Sequence, residues 1–214
     1  MNERVQFYTN PMSRGQIARW MLEESGAPYD AHILAYGEDG MKSPAYLAIN
    51  PMGKVPAIVH AGKVVTECAA ICAYLADAFP AAGLAPTPAE RTDYYRWLFF
   101  AAGPLEAATT NHAGGFTPPP ERERMFGYGT FEKSVAVLAD AVRDRPFICG
   151  ERFTAADVYV GAQVMWGIQF GWLPDIPAFA AYSARLADRP AHQRAKAMDE
   201  ALIAQMQAQA PSQS

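Results

Sequence analysis

The alternation of strand and helix patterns stops near residue 80, and this change constrains the fold more than any other feature of the sequence. Before it, short apolar runs typical of strands alternate with helical patterns in the order β-α-β-α-β-β-α. The segment 80–89 contains three prolines and one glycine, which favours a linker. After it, the patterns are helical. The sequence therefore predicts an α+β protein with a small α/β domain over 1–79 and an all-helical domain over 90–214.

The boundaries of the elements follow from these patterns. The predicted strands are Val5–Thr9, Tyr29–Leu34, Val55–Val59 and Lys63–Thr66. The predicted helices are Ser13–Ser25, Ser43–Ile49, Cys68–Phe79, Arg91–Ala108, Glu121–Val142, Thr154–Phe170, Ile176–Leu186 and Pro190–Gln207. The first βαβ unit implies a parallel strand pair, and the later two-strand hairpin is antiparallel. Arg91–Ala108 is apolar almost all round, so we expect it to be buried.

Composition and charge exclude several classes of function. A formal net charge of −4 disfavours nucleic acids and anionic lipid surfaces, which bind basic faces. No apolar run approaches the roughly 18–20 residues that span a bilayer. The three cysteines do not form a disulfide framework and the start of the chain lacks a secretion signal, so a cytoplasmic protein is expected. The four histidines are scattered and no metal, phosphate-loop or hydrolase motif is present, so no metal is expected.

The segment Asn10–Arg14 joins the first strand to the first helix, where ligands gather in an open α/β sheet. Pro11 suits the first helical position, with Asn10 as the cap, which places Ser13 in the first turn. The N–H groups and dipole of that turn favour an anion. From this pattern alone, Ser13 is either an ordinary first-turn residue or part of an anion site.

Two further segments carry functional hypotheses. Val55-Pro56 begins a strand, and a cis bond there turns the Val55 backbone outward, towards an extended peptide ligand. A trans bond at an ordinary strand start is the alternative. Glu67 and Cys68 open the third helix, a second positive helix end suited to a carboxylate, although an acid there also balances the helix dipole. Later in the chain, Thr154 and Asp157 form a capping box.

Together these motifs resemble the glutathione transferase family over nearly the whole chain. The shared pattern is Pro11 and Ser13 after the first strand, N-P-x-G-x-V-P from Asn50 to Pro56, an E-S-like pair before the third helix, and G-x-x-F-T-x-A-D from Gly150 to Asp157. The resemblance implies a thioredoxin-like βαβαββα domain followed by a helical bundle. It also implies a homodimeric detoxifying enzyme that uses glutathione as co-substrate, without a metal.

The resemblance assigns roles to individual residues. It implies that Ser13 is the catalytic serine, and that the remaining glutathione-binding positions are Lys42, Lys54, Val55, Pro56, Glu67 and Cys68. The lysines match positions that hold the glycine carboxylate, Val55 pairs with the cysteinyl unit, and Pro56 is a cis-proline. Glu67 and Cys68 match the pair that holds the γ-glutamyl end. The family usually has serine at the position of Cys68, and a thiol is a weaker hydrogen-bond donor.

The implied mechanism rests on thiol chemistry. A free thiol of pKa about 8.5 is only about 3% thiolate at pH 7. Lowering that pKa by about two units requires about 2.7 kcal/mol. One hydroxyl hydrogen bond to an anion supplies roughly 1.5–3 kcal/mol, so Ser13 supplies most of the shift. Tyr8 and Asn10 are alternatives, since some members of the family use tyrosine or asparagine.

The electrophile is expected against the helical domain, with a pocket lined by Met12, Phe100, Pro104 and Trp166. Other reactions on the same scaffold stay open at this stage: a glutathione-dependent isomerase, dehalogenase, peroxidase or ether-cleaving lyase. A non-catalytic relative that serves as an interaction module is the alternative from a different class. Ser13, Pro56 and Glu67 favour the enzyme, whereas Cys68 leaves room for the module.

Overall fold

The structure is a computed structural model that describes residues 3–209. A four-stranded sheet is formed by β1 (Val5–Thr9), β2 (Tyr29–Ile33), β3 (Ala57–His60) and β4 (Lys63–Val65), in the spatial order β2-β1-β3-β4. β1 pairs parallel with β2 and antiparallel with β3, and β3 pairs antiparallel with β4. This mixed sheet with its interleaved helices is the predicted thioredoxin-like arrangement. The four strands begin and end within two residues of their predicted bounds.

Three helices accompany the sheet: α1 (Gly15–Ser25), α2 (Pro44–Leu47) and α3 (Cys68–Ala78). β1 alternates buried and partly buried residues, so Val5 and Phe7 point into the core. α1 and α3 pack against each other and against the sheet with apolar faces spaced at three or four residues. The fully buried side chains of this core include Phe7, Ile17, Met21, Ile58, Ile71 and Leu75.

The second part of the chain is helical. It contains α4 (Arg91–Phe100), α5 (Glu106–Ala113), α6 (Phe131–Arg143), α7 (Ala155–Gln169) and α8 (Pro177–Ala187), and α9 (Pro190–Gln209) follows. α7 is buried along most of its length. Its predicted capping box is confirmed, because Asp157 Oδ2 accepts the Thr154 N–H at 2.8 Å. The predicted all-helical second part is therefore confirmed.

Two helix predictions were wrong. Arg91–Ala108 is interrupted by a π-helical turn, Ala101–Leu105, which contains Pro104; proline has no N–H for the regular ladder. α4 is also buried on one side only, with Tyr95 50% and Phe99 73% exposed. Glu121–Val142 is a short 3₁₀ helix followed by an irregular segment, and α6 begins only at Phe131. Gly129 has φ +64° and the Thr130 hydroxyl caps α6, so the chain cannot continue as one helix.

Packing divides the described chain into two compact units: residues 3–83 with 189–209, and Leu84–Asp188. α9 thus belongs to the unit of the sheet, where it packs on α1. The linker at 80–89 was inferred from composition along the chain, and that boundary stays a prediction. Among the helices of residues 3–209, none is long and apolar enough to cross a membrane.

Candidate functional site

The predicted glutathione residues lie in segments that meet at one edge of the sheet. The strand register pairs Thr9 with Ile33 and Tyr8 with Ala57, so β1 and β2 end where β3 begins. Ile58 pairs with Val65, so β4 ends at the same edge. The segments beyond these strand ends carry Ser13, Lys42, Lys54, Val55, Pro56, Glu67 and Cys68. The topology therefore gathers seven residues that are distant in sequence.

Ser13 lies in a turn that Asn10 organises. Asn10 is fully buried; its Oδ1 accepts the Met12 N–H at 2.9 Å, and its Nδ2 donates to the Leu34 carbonyl at 2.8 Å. The Ser13 hydroxyl donates to the Asn10 carbonyl at 2.6 Å and accepts the Gly15 N–H at 3.0 Å. α1 begins at Gly15, so the prediction that Ser13 lies in its first turn was wrong. The Asn10 cap forms a separate turn over 11–14, ahead of the helix.

The start of α3 contacts this turn through Cys68. Its Sγ donates to the Arg14 carbonyl at 3.4 Å, and the side chain is nearly buried. Glu67, the residue before the helix, is exposed and has φ +65°, a conformation that a non-glycine residue adopts at a cost of about 1–3 kcal/mol. The Ser13 turn and the positive end of α3 are therefore neighbours. Such strain is common at binding sites.

The Val55–Pro56 peptide bond is cis, as the resemblance implies. The Lys54 carbonyl just before it accepts hydrogen bonds from the Tyr46 hydroxyl at 2.6 Å and from Asn50 Nδ2 at 2.7 Å. Burial raises the pKa of Tyr46 to about 12, so the phenol stays protonated and donates. Val55 also packs on a small apolar cluster that includes Tyr46 and Ala57. These contacts hold the segment in one position.

The two lysines differ in what holds them. Lys42 Nζ donates to the Met52 carbonyl at 3.2 Å. Gly53, with φ +58°, lies beneath it, and a Cβ there would come within 2.8 Å of Lys42 Nζ. The Lys54 side chain is exposed. Its backbone carbonyl is held by the hydrogen bonds from Tyr46 and Asn50. Both lysines belong to segments at the edge of the sheet that carries Ser13.

Asn10 and Tyr8, the two alternatives to Ser13, have contacts of their own. Asn10 Oδ1 accepts the Met12 N–H within the turn, and Asn10 Nδ2 donates to the Leu34 carbonyl beyond β2. The Tyr8 ring stacks on His32 with centroids 4.7 Å apart and tilts against Tyr46 at 5.7 Å. Ser13 is partly exposed, and rotation about its Cβ–Oγ bond can direct the hydroxyl hydrogen towards a ligand.

The four predicted electrophile residues are divided between the two units. Met12 lies in the Ser13 turn and is 51% exposed. Phe100 ends α4 and packs edge-on against Trp97, Pro104 lies in the π-helical turn, and Trp166 belongs to α7. All three are partly buried. The pocket itself stays a prediction.

Sequence reasoning missed Tyr46 and Tyr36. Tyr46 fixes the Lys54 carbonyl, and the Tyr36 hydroxyl donates to the Met12 carbonyl at 3.1 Å, which ties the segment after β2 to the Ser13 turn. No motif marks either tyrosine, because each acts through a contact that only the fold creates. Among the described residues, no cluster of three His, Cys, Asp or Glu side chains could hold a metal. The site thus offers a hydroxyl, exposed cations and helix starts, a set suited to an extended anionic ligand.

Comparisons with known proteins agree with this fold. The model of the glutathione S-transferase N-terminal domain matches residues 12–78. Glutathione S-transferase GstA of Escherichia coli O157:H7 is 34% identical over 155 residues, which cover 68% of this chain and 73% of that protein. The disulfide-bond oxidoreductase YghU of Escherichia coli is 30% identical over 73% of this chain and 58% of its own length.

Solved structures give the same result. The theta class glutathione S-transferase of Xanthomonas axonopodis pv. citri, solved with glutathione bound, superposes with a TM-score of 0.70 at 27% identity, over 90% of this chain and 97% of that one. A thioredoxin-like sheet with a helical second part defines the class of fold. The chain belongs to the glutathione S-transferase family of enzymes.

Proposed function

We propose that this enzyme attacks small hydrophobic electrophiles with the thiolate of glutathione, and that the Ser13 hydroxyl stabilises that thiolate. The observation that carries the proposal is the contact between Cys68 Sγ and the Arg14 carbonyl, at 3.4 Å. It joins the turn of Ser13 to the start of α3 at the edge where the cis-proline segment begins. One extended tripeptide can then contact three groups: the Ser13 hydroxyl, the Val55 backbone and the N-terminus of α3.

The hydrogen bonds of Ser13 set the size of the effect. Its single hydroxyl hydrogen is held by the Asn10 carbonyl, so donation to sulfur replaces that bond. The bond gained to an anion contributes about 1.5–3 kcal/mol and the bond lost about 0.5–1.5 kcal/mol. With about 0.3–1 kcal/mol from the start of α1, the net gain of about 1–2 kcal/mol lowers the thiol pKa by about one unit. This is about half of the two units considered from the sequence.

The remaining residues are proposed to hold the tripeptide. The Val55 backbone pairs with the cysteinyl unit, and Pro56 sets the direction of that backbone. Lys42 and Lys54 attract the glycine carboxylate through their exposed ammonium groups. Glu67 and the Cys68 N–H hold the γ-glutamyl end of glutathione. The carboxylate of that end lies at the positive N-terminus of α3.

The test is the replacement Ser13→Ala, with Ser25→Ala as the matched control. Ser25 lies at the other end of α1 and its hydroxyl donates to the Leu22 carbonyl at 3.0 Å, so the control removes a similar bond away from the site. Titration of the bound thiolate by its ultraviolet absorbance should give a pKa about one unit higher in Ser13→Ala, and an unchanged pKa in Ser25→Ala. An unchanged pKa in Ser13→Ala would refute the role of Ser13.

A second candidate is reduction of disulfides by glutathione. It is favoured by the relative YghU, which is named a disulfide-bond oxidoreductase. The same thiolate would attack a disulfide sulfur, and a second glutathione would release the mixed disulfide as glutathione disulfide. Assays with a small aryl halide and with a small dialkyl disulfide separate the two reactions. Turnover of the disulfide alone would assign this second activity.

We further propose that the enzyme is a cytoplasmic homodimer whose electrophile lies among Met12, Phe100, Pro104 and Trp166. The exposed Tyr95 and Phe99 side chains of α4 favour a protein partner, because an isolated chain leaves two large aromatic surfaces in water. All three cysteines are buried and none forms a disulfide in the described residues, which suits a reducing compartment. Cross-linking at low protein concentration tests the dimer.

A further inference from the structure

Arg19 in α1 is a buried charge that joins four elements of the sheet-containing unit. The residue is 3% exposed, and its Nε donates to Asp199 Oδ1 of α9 at 2.8 Å. Its guanidinium carbon lies 5.3 Å from the centroid of the Phe7 ring in β1. Its Nη1 donates to the Tyr29 hydroxyl of β2 at 3.4 Å. One side chain thus links α1 to both parallel strands and to the last helix.

Stability alone is a poor explanation for this ion pair. Within residues 3–209, Arg19 Nη2 and Asp199 Oδ2 are buried without a hydrogen-bond partner. A buried pair with unsatisfied atoms does not recover the full cost of leaving water, and apolar residues of similar volume are often as stable or more so. The pair therefore points to a requirement for geometry, which charged and directional groups define more sharply than apolar ones.

The geometry in question is that of the segment between β1 and α1. Phe7 precedes this segment, Arg19 follows it, and the guanidinium contact fixes the two against each other. Within the segment, Gly15 lies so close to Thr9 that a Cβ would overlap the Thr9 hydroxyl. A small shift of α1 along β1 is therefore transmitted to the turn of Ser13.

We propose that Arg19, held in place by Asp199, is a positioning residue for Ser13, an inference that rests on the proposed function. The C-terminal helix then acts on the chemistry at the opposite end of α1 without touching glutathione. If Asp199 loses its charge, the buried guanidinium has no counter-ion and turns towards water. α1 moves with it, and the Ser13 hydroxyl no longer meets the sulfur at hydrogen-bond distance.

Two other ion pairs join α1 to the chain from Arg189 onwards, and the one within α9 supplies the control. Arg189 contacts Glu24 through two bonds of 2.6 and 2.7 Å, and Arg194 contacts Glu23 at 3.0 Å. The side chains of Arg194 and Glu23 are 54% and 13% exposed, against 4% and 3% for Arg19 and Asp199, so this pair lies closer to water. Arg194→Gln therefore weakens the docking of α9 and leaves Arg19 paired.

The experiment compares Asp199→Asn, Arg194→Gln and the double variant Arg19→Met/Asp199→Leu, which replaces the buried pair by apolar residues. Asp199→Asn should lower kcat about tenfold, raise the pKa of the bound glutathione thiol by about one unit, and leave the KM for glutathione nearly unchanged. Arg194→Gln should resemble wild type. The double variant should recover the thermal midpoint of wild type and keep the raised thiol pKa, which separates position from stability.

Three outcomes overturn the inference. The first is an unchanged thiol pKa in Asp199→Asn. The second is a lowered thiol pKa in Asp199→Asn, which would indicate the direct electrostatic effect of the unpaired guanidinium. The third is a wild-type thiol pKa in the double variant. Failure of the proposed function would give a different set of results. In that case wild-type enzyme does not lower the pKa of bound glutathione, or Ser13→Ala leaves that pKa unchanged.

Discussion

Gly15 follows the Ser13 turn, and no larger residue fits at this position. A Cβ there would overlap the Thr9 hydroxyl and approach Ser13 Oγ at 3.1 Å. Gly15→Ala is therefore expected to reduce the free energy of unfolding by about 1–3 kcal/mol, the usual cost of overpacking. It also displaces Ser13, so the pKa of the bound thiol should rise. Urea unfolding and thiolate titration measure the two effects.

Removal of the obstacle tests the cause. In the double variant Thr9→Ala/Gly15→Ala, the overlap with the Thr9 hydroxyl is gone, and the tight contacts that remain are those of 3.1 Å with Ser13 Oγ and the Cβ of residue 9. This variant should recover part of the lost stability. Equal instability of the single and double variants would contradict the contact with Thr9 as the cause.

Asp157 gives the enzyme a pH dependence of stability. Its carboxylate is fully buried and accepts hydrogen bonds from the Ile148 N–H at 2.7 Å and the Tyr182 hydroxyl at 2.8 Å. Burial raises its pKa to about 6, although these bonds lower it. The folded state thus binds a proton more tightly than the unfolded state, and the stability present below about pH 4 is lost as the pH rises to about 6.

The expected result is a fall in the free energy of unfolding between about pH 4 and pH 6, of at most roughly 3 kcal/mol from this residue. Asp157→Asn cannot ionise, so its stability should lack that slope, although its absolute value is lower because an amide offers one accepting oxygen. Urea unfolding at a series of pH values measures both proteins. Parallel curves for wild type and variant would contradict the assignment.

At the scale of elements, the β3–β4 hairpin turns through Ala61 and Gly62, both with positive φ of 50° and 70°. Such a two-residue turn matches the twist of the strands and favours Asn-Gly. Ala61→Asn is therefore expected to increase the free energy of unfolding by about 0.5–1 kcal/mol. Gly62→Ala, the control, should decrease it. A shift of the urea midpoint in the same direction for both would refute the turn geometry as the cause.

The sequence predicted elements well where local chemistry decides them. β1 and the start of α7 follow from alternation and from the Thr154 cap, both of which are local patterns. The interruption of the predicted helix Arg91–Ala108 was missed because its apolar pattern runs on through the π-helical turn that contains Pro104. The start of α6 was missed because the Glu121–Met125 residues are good helix formers, and the irregular segment beyond them overrides that propensity.

The candidate site shows the same division. The edge on which Ser13, Pro56 and Glu67 meet follows from the order of strands and helices. The partners of these residues do not, because the Asn10 carbonyl that holds the Ser13 hydrogen and the Tyr46 hydroxyl that holds the Lys54 carbonyl are contacts formed only by folding. Sequence motifs therefore name the candidate residues, and the structure adds the hydrogen-bond partners that hold them.

At the scale of the whole molecule, the exposed side of α4 carries the prediction about assembly. Phe99 is 73% exposed, and Phe99→Asp places a charge on that apolar side. If this side forms the proposed dimer interface, the variant should be a monomer, because an unpaired charge is costly in an interface. Light scattering after size-exclusion chromatography measures the mass. Arg91→Asp, on the same helix, is the charge control and should keep the mass of wild type. A dimeric Phe99→Asp protein would exclude this surface.

The grouping of α9 with the sheet has a consequence for synthesis. The ribosome makes β1 and α1 first, yet the counter-ion of Arg19 is Asp199, close to the end of the described chain. Asp199 is synthesised 180 residues after Arg19. Until then, the nascent chain contains the arginine without the carboxylate that neutralises it in the folded protein. The helical unit Leu84–Asp188 is contiguous in sequence, so it can complete its own packing before the half that was translated ahead of it.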